Sequence, residues 1–147
     1  NLFRVSKVTL VYTRKVRLKD LPTVKSSDVA YTIFLHHWSE QLDFIEEAYL
    51  LLLNRSLKPL GMMHLSLGGV TGAVIDAKVI FTAALLARAT GFILAHNHPS
   101  GSLIASQADI KLTERLAKGA KLLDLKMQDH MIITKDGYLS FADEGML

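Results

Sequence analysis

Two imidazoles, three serine hydroxyls and a carboxylate crowd fourteen consecutive positions of this chain, among them His96, His98, Ser100, Ser106 and Asp109. Just ahead of them runs Phe92-Ile93-Leu94-Ala95, bounded by Gly91 on one side and Pro99-Ser100-Gly101 on the other. An apolar run of that length between turn-forming residues predicts a buried strand that opens into a loop. Side chains two apart on a strand share a face, so His96 and His98 can converge on one ion while Asn97 points away. The loop after His98 is long enough to turn back and open a helix whose first turn carries Asp109. Two imidazoles and one carboxylate are three protein ligands, the number at which a catalytic zinc keeps its fourth position for water. Water in such a position has its pKa lowered to about 7 and becomes a usable nucleophile.

Two other readings draw on the same residues. Ser106-Gln107-Ala108-Asp109 also spells a capping box, in which the serine and the acid satisfy orphan amides at a helix start. Ser100, in a tight Pro-Ser-Gly turn, could offer an exposed nucleophilic hydroxyl, although no acid stands ready to orient a base for it.

The elements that must position these groups follow from periodicity and punctuation. Residues 3–13 alternate, with one slip in phase, and predict an edge strand; a turn follows near Leu21-Pro22. Ser26-Ser27-Asp28 can cap a helix through about Trp38, with Val29, Ile33, Phe34 and His37 on its buried face. Ala48 to Leu53 is too uniformly apolar for a half-exposed strand and predicts a central one covered on both faces. Asn54-Arg55-Ser56 makes a turn, Pro59 to Leu67 supplies an antiparallel partner, and Gly68-Gly69 with Gly72 marks a loop. Asp76 caps a second helix, roughly 77–89, whose core stripe is Val79, Ile80, Ala83, Ala84 and Leu86. A third helix spans about 107–123, with Ile110, Leu112, Leu116, Ala117, Ala120 and Leu123 as its stripe and Lys118-Gly119 and Lys121 outside it. Leu125 to Ile133 predicts another strand, Asp136-Gly137 a turn, and Tyr138 to Phe141 a last short strand. Alternating strands and helices argue for a layered α/β domain with helices on both sides of a mixed sheet.

At 147 residues and 50% hydrophobic, the chain is long enough for one domain, residues 1–147, with a substantial core. Residues 1–40 read as an N-terminal extension of that domain. There is no cysteine, which excludes disulfides, thiolate zinc sites and cysteine nucleophiles, leaves any metal to His, Asp, Glu or water, and suits a reducing cytoplasm. No apolar stretch approaches the ~20 residues that span a bilayer, and Asn1-Leu2-Phe3-Arg4 lacks the order of a signal peptide. The absence of an initiator Met fits a domain excised from something longer. The net charge is +3, but Arg4, Lys7, Arg14, Lys15, Arg17, Lys19 and Lys25 face only Asp20 in the first 25 residues. That arm is either a nucleic-acid contact or a solvated strand pair with its charges outward.

The spacing His-x-His, seven residues, Ser, two residues, Asp resembles the JAMM motif of JAB/MPN metallohydrolases, and His96, His98, Ser106 and Asp109 fit each interval. The chain is most similar to the RadC-like bacterial branch, through His96-Asn97-His98-Pro99-Ser100-Gly101, Thr113-Glu114-Arg115, Asp129-His130-Met131-Ile132-Ile133 and Tyr138-Leu139-Ser140-Phe141. The likeness covers roughly residues 40–147. It implies a cytidine-deaminase-like three-layer α/β/α fold with a mixed central sheet and a Zn2+ ion on His96, His98 and Asp109. It further implies Glu46 as general base, with Glu47 as the fallback, and Ser106 as a donor to the oxyanion. The activity implied is zinc-dependent cleavage of an amide bond in a peptide or isopeptide substrate. The alternative is a DNA-associated repair-family protein, either a metal-dependent nuclease or a recruitment domain. The chain departs from the family at Asp76-Ala77-Lys78, where a His-Pro-Arg element is usual, and residues 1–40 leave no room for a helix-hairpin-helix segment. His36, His37 and His64 read as surface or satisfied core histidines, and His130 as either a fold-holding or a ligand-supporting residue.

Overall fold

A computed structural model of the protein describes residues 4–9, 11–68 and 75–147. Five strands form one mixed sheet in the order β2-β1-β3-β4-β5, where β1 is Glu47–Leu53, β2 Pro59–Leu67, β3 Gly91–Asn97, β4 Lys126–Thr134 and β5 Gly137–Ser140. Only β3 and β4 run parallel; every other neighbouring pair is antiparallel. That single parallel pair needs a crossover, which α3 (Gln107–Leu122) supplies; α1 (Ser27–His37) precedes β1 and α2 (Ala77–Leu86) links β2 to β3.

β1 and β3 are buried along their whole length, as their unbroken apolar sequences require of central strands. Alternate side chains divide between two cores. Leu50, Leu52, Phe92 and Leu94 pack with Ile80 and Ala84 of α2 and Leu116 and Ala120 of α3. Tyr49, Leu51, Leu53, Ile93 and Ala95 pack with Ala30 and Phe34 of α1. Each helix starts at the cap its sequence announces: Ser26 accepts from Val29 N at 3.4 Å and Asp76 from Lys78 N at 2.9 Å.

β4 carries an irregularity that decides which residues face which core. Phe92 pairs with Met127 but Ile93 pairs with Asp129, so Gln128 is an extra residue, a bulge. Met127 therefore joins the α2/α3 core while Met131 and Ile133 join the α1 core, a change of face within one strand. Gly91 sits against this bulge: a Cβ there would lie 2.8 Å from the Lys126 carbonyl oxygen, closer than backbone tolerates.

Four expectations need correction. The edge strand over residues 3–13 does not form among the described residues of that span. The slip in its alternation leaves no single face to bury, and Val5 and Val8 stand more than four-fifths exposed. The segment is tied to the sheet through Tyr12, whose hydroxyl donates to the Leu60 carbonyl on β2. His37 is exposed at the end of α1, whose core face is Ala30 and Phe34 with Val29 and Ile33 packed beside them, and Leu123 is exposed beyond the end of α3. Gly119 is half-buried, in contact with the Phe81 ring of α2 rather than turned outward. Gly69 and Gly72 lie outside the described residues.

Candidate metal centre

β3 ends by delivering His96 to the α2/α3 face of the sheet, with His98 just past the strand on the same side. The loop returns through Ser102 to open α3 at Ser106, and Asp109 stands in the first turn beside the two rings. His96 Nε2 lies 3.2 Å from His98 Nε2 and 3.3 Å from Asp109 Oδ1; His98 Nε2 lies 3.6 Å from Asp109 Oδ2. A tetrahedral ion with bonds of about 2.0–2.1 Å has ligand atoms about 3.3–3.4 Å apart, so the three side chains already stand at the separations such an ion needs.

Proton accounting makes the same point. The Ser102 carbonyl can only accept, so the 2.9 Å contact from His98 Nδ1 places the proton on Nδ1 and leaves a lone pair on Nε2. The Asp109 carbonyl likewise only accepts, and takes the Thr113 hydroxyl proton at 2.8 Å. Thr113 Oγ1 must then accept from His130 Nδ1. Full burial holds His130 well below its ordinary pKa, and the neighbouring His96 adds to that, so the ring is neutral with a lone pair on Nε2. His96 Nδ1 donates to that lone pair at 2.8 Å, so a His96 ring that carries a single proton has its lone pair on Nε2. With one proton on each ring, both Nε2 atoms present lone pairs to each other across 3.2 Å, beside a carboxylate. Such a cluster of electron pairs calls for a cation.

Asp109 serves two structural purposes at once. Ser106 N donates to its Oδ2 at 2.9 Å while its own N–H donates to Ser106 Oγ at 3.0 Å, so the capping box is present and it orients the carboxylate toward the rings. The capping and ligand readings are compatible. Burial pushes the Asp109 carboxyl up, but the rings of His96 and His98 and the Ser106 N–H outweigh it, and the group lies well below the usual carboxylate range. In return Asp109 raises His98 above its ordinary value, against the effect of burial, and the negative charge of Glu46 acts in the same direction.

Strand parity separates the two glutamates. Ala48 pairs with His96, so continuing the antiparallel register places Glu46 opposite His98 on the site face. Glu47 points to the other face, where it is buried, accepts from Ser39 Oγ at 2.7 Å and lies 3.8 Å from His64 Nε2. Asn97 also faces that side and clamps the backbone on both flanks of Glu46. Its Oδ1 accepts from Glu47 N at 2.6 Å, and its Nδ2 donates to the carbonyls of Ile45 and Leu42 at 2.8 and 2.7 Å. Ser100 is exposed and, among the described residues, accepts only from Ser102 N within its own turn, at 3.3 Å. His36 and His37 meet edge to face at the end of α1, away from the cluster.

The bulge at Gln128 divides Asp129 from His130. His130 faces the cluster of His96, His98 and Asp109 and stacks on Phe141 at 4.6 Å. Asp129 faces the other way and holds the chain after β5, accepting from Ser140 Oγ and from Ala142 N. Burial raises its carboxyl despite those bonds. Thr113 and Asn97 had no assigned role in the sequence reading. Thr113 lies one helical turn after Asp109, the spacing at which a threonine hydroxyl reaches the carbonyl four residues back.

A strand-end His-x-His pair with an aspartate from the next helix, backed by a buried neutral imidazole, defines an α/β domain bearing a candidate metal site with an N2O donor set. The RadC-like JAB domain family matches residues 24–146, and the chain belongs to that family. The match takes in α1 as well as the span from residue 40 on. The chain is 41% identical over 136 residues to a UPF0758 protein of Flavobacterium johnsoniae, covering 90% of this chain and 58% of that protein. It is 50% identical over 103 residues to a UPF0758 protein of Porphyromonas gingivalis, covering 69% and 45%. A UPF0758 protein of Thermotoga maritima is 30% identical over 118 residues, covering 79% and 53%. The chain thus spans about half the length of these curated relatives. No helix among the described residues is long and apolar enough to cross a membrane.

Proposed function

We propose that this chain is a zinc-dependent hydrolase of the JAMM type, in a cytidine-deaminase-like α/β/α fold, which cleaves an amide bond in a peptide or isopeptide substrate. The observation that carries the reading is the pair of Nε2 lone pairs held 3.2 Å apart beside Asp109, with both tautomers locked from behind. Three ligands of this type suit zinc and leave a coordination position open. When bound, the ion supplies positive charge that polarises a carbonyl and acidifies water.

The remaining chemistry belongs to the chain. Glu46 takes the proton of the attacking water on its carboxylate and returns it to the leaving amine as the carbon–nitrogen bond breaks. Ser106 Oγ accepts from Asp109 N, which leaves its own proton to donate to the oxyanion of the tetrahedral intermediate. Asn97 fixes the backbone that carries Glu46, and the chain from Thr113 through His130 fixes the ring of His96.

Elemental analysis of the purified protein and its variants tests this directly. Wild type is expected to hold zinc, His96→Ala and Asp109→Ala to lose it, and Glu46→Gln to keep it but stop turnover on a panel of peptide and isopeptide substrates. Full metal content in Asp109→Ala would remove the ligand assignment. Full turnover by Glu46→Gln would place the base elsewhere.

A further inference from the structure

At the opposite end of the sheet, where β1 runs out at Leu53 and β3 begins at Gly91, a cavity of about 440 Å³ lies between the N-terminal segment and the end of α2. Five strand residues separate this end from His96, roughly 17 Å at 3.3–3.4 Å per residue, so it is distinct from the metal centre. Arg14, Arg88 and Asn54 line it with Tyr12 and Leu60, and no lining residue is acidic.

Arg14 and Arg88 are exposed, and three of the lining side chains, Arg14, Arg88 and Asn54, carry donors with no acceptor among the described residues. Neither guanidinium has an ion pair or hydrogen bond with any described residue, in contrast to Arg17, which is paired with Asp20 at 2.8 Å. Asn54 uses its Oδ1 on Lys58 N at 2.9 Å, which leaves the amide hydrogens of Nδ2 without an acceptor among the described residues. The Tyr12 hydroxyl is committed to Leu60 O and holds Arg14 in place two residues further along. Two cations brought to one cavity without a carboxylate repel each other until an anion joins them.

Arg88 adds a second observation. It follows the end of α2 with φ +54°, the left-handed conformation in which glycine or asparagine ordinarily ends a helix. A residue with a Cβ is strained there. Arg88 shares this conformation with Leu57 at φ +59° and Asp124 at φ +54°, and of the three it is the one that brings a cation to the cavity.

We infer that Arg14, Arg88 and Asn54 form a phosphate-binding site at the sheet end remote from the metal, and that its ligand is the phosphate backbone of a nucleic acid. Guanidinium forks match phosphate oxygens bidentately. A polymer of phosphates fits better than a single one because exposed Lys15 and Lys19 continue the positive charge along the segment, while the one acid of residues 11–25, Asp20, is bound to Arg17. Contacts of this kind position a strand without reading its sequence.

Fluorescence anisotropy of the purified protein with a labelled mixed-sequence oligonucleotide, titrated at several salt concentrations, tests the assignment. Wild type is expected to bind at low salt and to weaken along a log–log line of slope about −0.7 to −0.9 per phosphate neutralised. Arg14→Gln and Arg88→Gly should each weaken binding several-fold, equally for all sequences, and reduce the slope by about 1. Lys121→Ala, an exposed cation on α3, should change neither. Arg88→Gly also relieves the strained backbone, so its melting temperature should hold or rise; loss of both binding and stability would mean that Arg88 only supports the end of α2. Absence of binding at low salt, or unchanged binding by the doubly substituted protein, would overturn the proposal. Binding of inorganic triphosphate without binding of the oligonucleotide would assign the site to a free oligophosphate and overturn the nucleic-acid reading.

Discussion

Replacing Thr113 by valine removes a hydroxyl that touches neither His96 nor His98, yet it should weaken metal binding by about 10- to 100-fold. The route runs through the tautomer of His130. In the intact protein Thr113 Oγ1 accepts from His130 Nδ1, which keeps the His130 Nε2 lone pair turned toward His96 Nδ1 at 2.8 Å. With valine in place, the buried ring relaxes by carrying its proton on Nε2 instead. His96 Nδ1 must then accept, which moves the His96 proton to Nε2, where an ion would bind. Metal can still enter, but only by restoring the original tautomers and leaving the His130 Nδ1–H buried without an acceptor. An unmet buried donor costs about 1–3 kcal/mol, equivalent to roughly 5- to 150-fold in affinity. The assay is zinc competition against a chromophoric chelator near neutral pH, with Thr113→Ser as the rescue that keeps the hydroxyl. Valine and serine variants that bind zinc equally, both within twofold of wild type, would refute the tautomer argument.

Other expectations follow from the same geometry. Metal affinity should fall on acidification, because Asp109 raises the metal-free His98 above 6.5 and a proton then competes for Nε2. The stability of the metal-free protein should run the other way: the contribution of this pair is fully present below pH about 6.5 and is lost as pH rises through the folded value, which melting curves across pH would show. Ser106→Ala removes the acceptor for Asp109 N and should cost about 1 kcal/mol in thermal or chemical unfolding, with a parallel loss of zinc as the aspartate loosens; Ser106→Thr should recover most of both. Asn97→Asp turns the two donated bonds to Leu42 O and Ile45 O into repulsions, and should destabilise the protein by about 3 kcal/mol or more in urea unfolding, beyond the loss expected from His98→Ala.

The sequence was most legible where a pattern is local. The uniform apolar runs of β1 and β3 announced central strands, and the caps at Ser26, Asp76 and Ser106 marked the three helix starts to within a residue. His96, His98 and Asp109 could be grouped because strand parity and one loop length sufficed to bring them together. Residues 3–13 failed because β-propensity says what a segment can do, not whether a partner strand exists for it. Thr113 and His130 meet through two elements whose relative placement no local pattern encodes, and the role of Asn97 depends on a loop, residues 42–46, with no periodicity to read. The division between Glu46 and Glu47 could be read as parity once the strand start was known; a one-residue error in that start would have exchanged them.

The same sensitivity makes the bulge at Gln128 a constraint on chain length. Excising one residue between Met127 and Asp129 would turn His130 toward α1 and Asp129 toward the rings, exchanging a neutral support for a negative charge and releasing the chain after β5. Surface turns such as 54–58 can lengthen or shorten at small cost, but this strand counts its residues. Across any set of related chains, insertions and deletions should therefore be absent from the interval that joins Gly91's neighbour Lys126 to His130, however freely the loops vary.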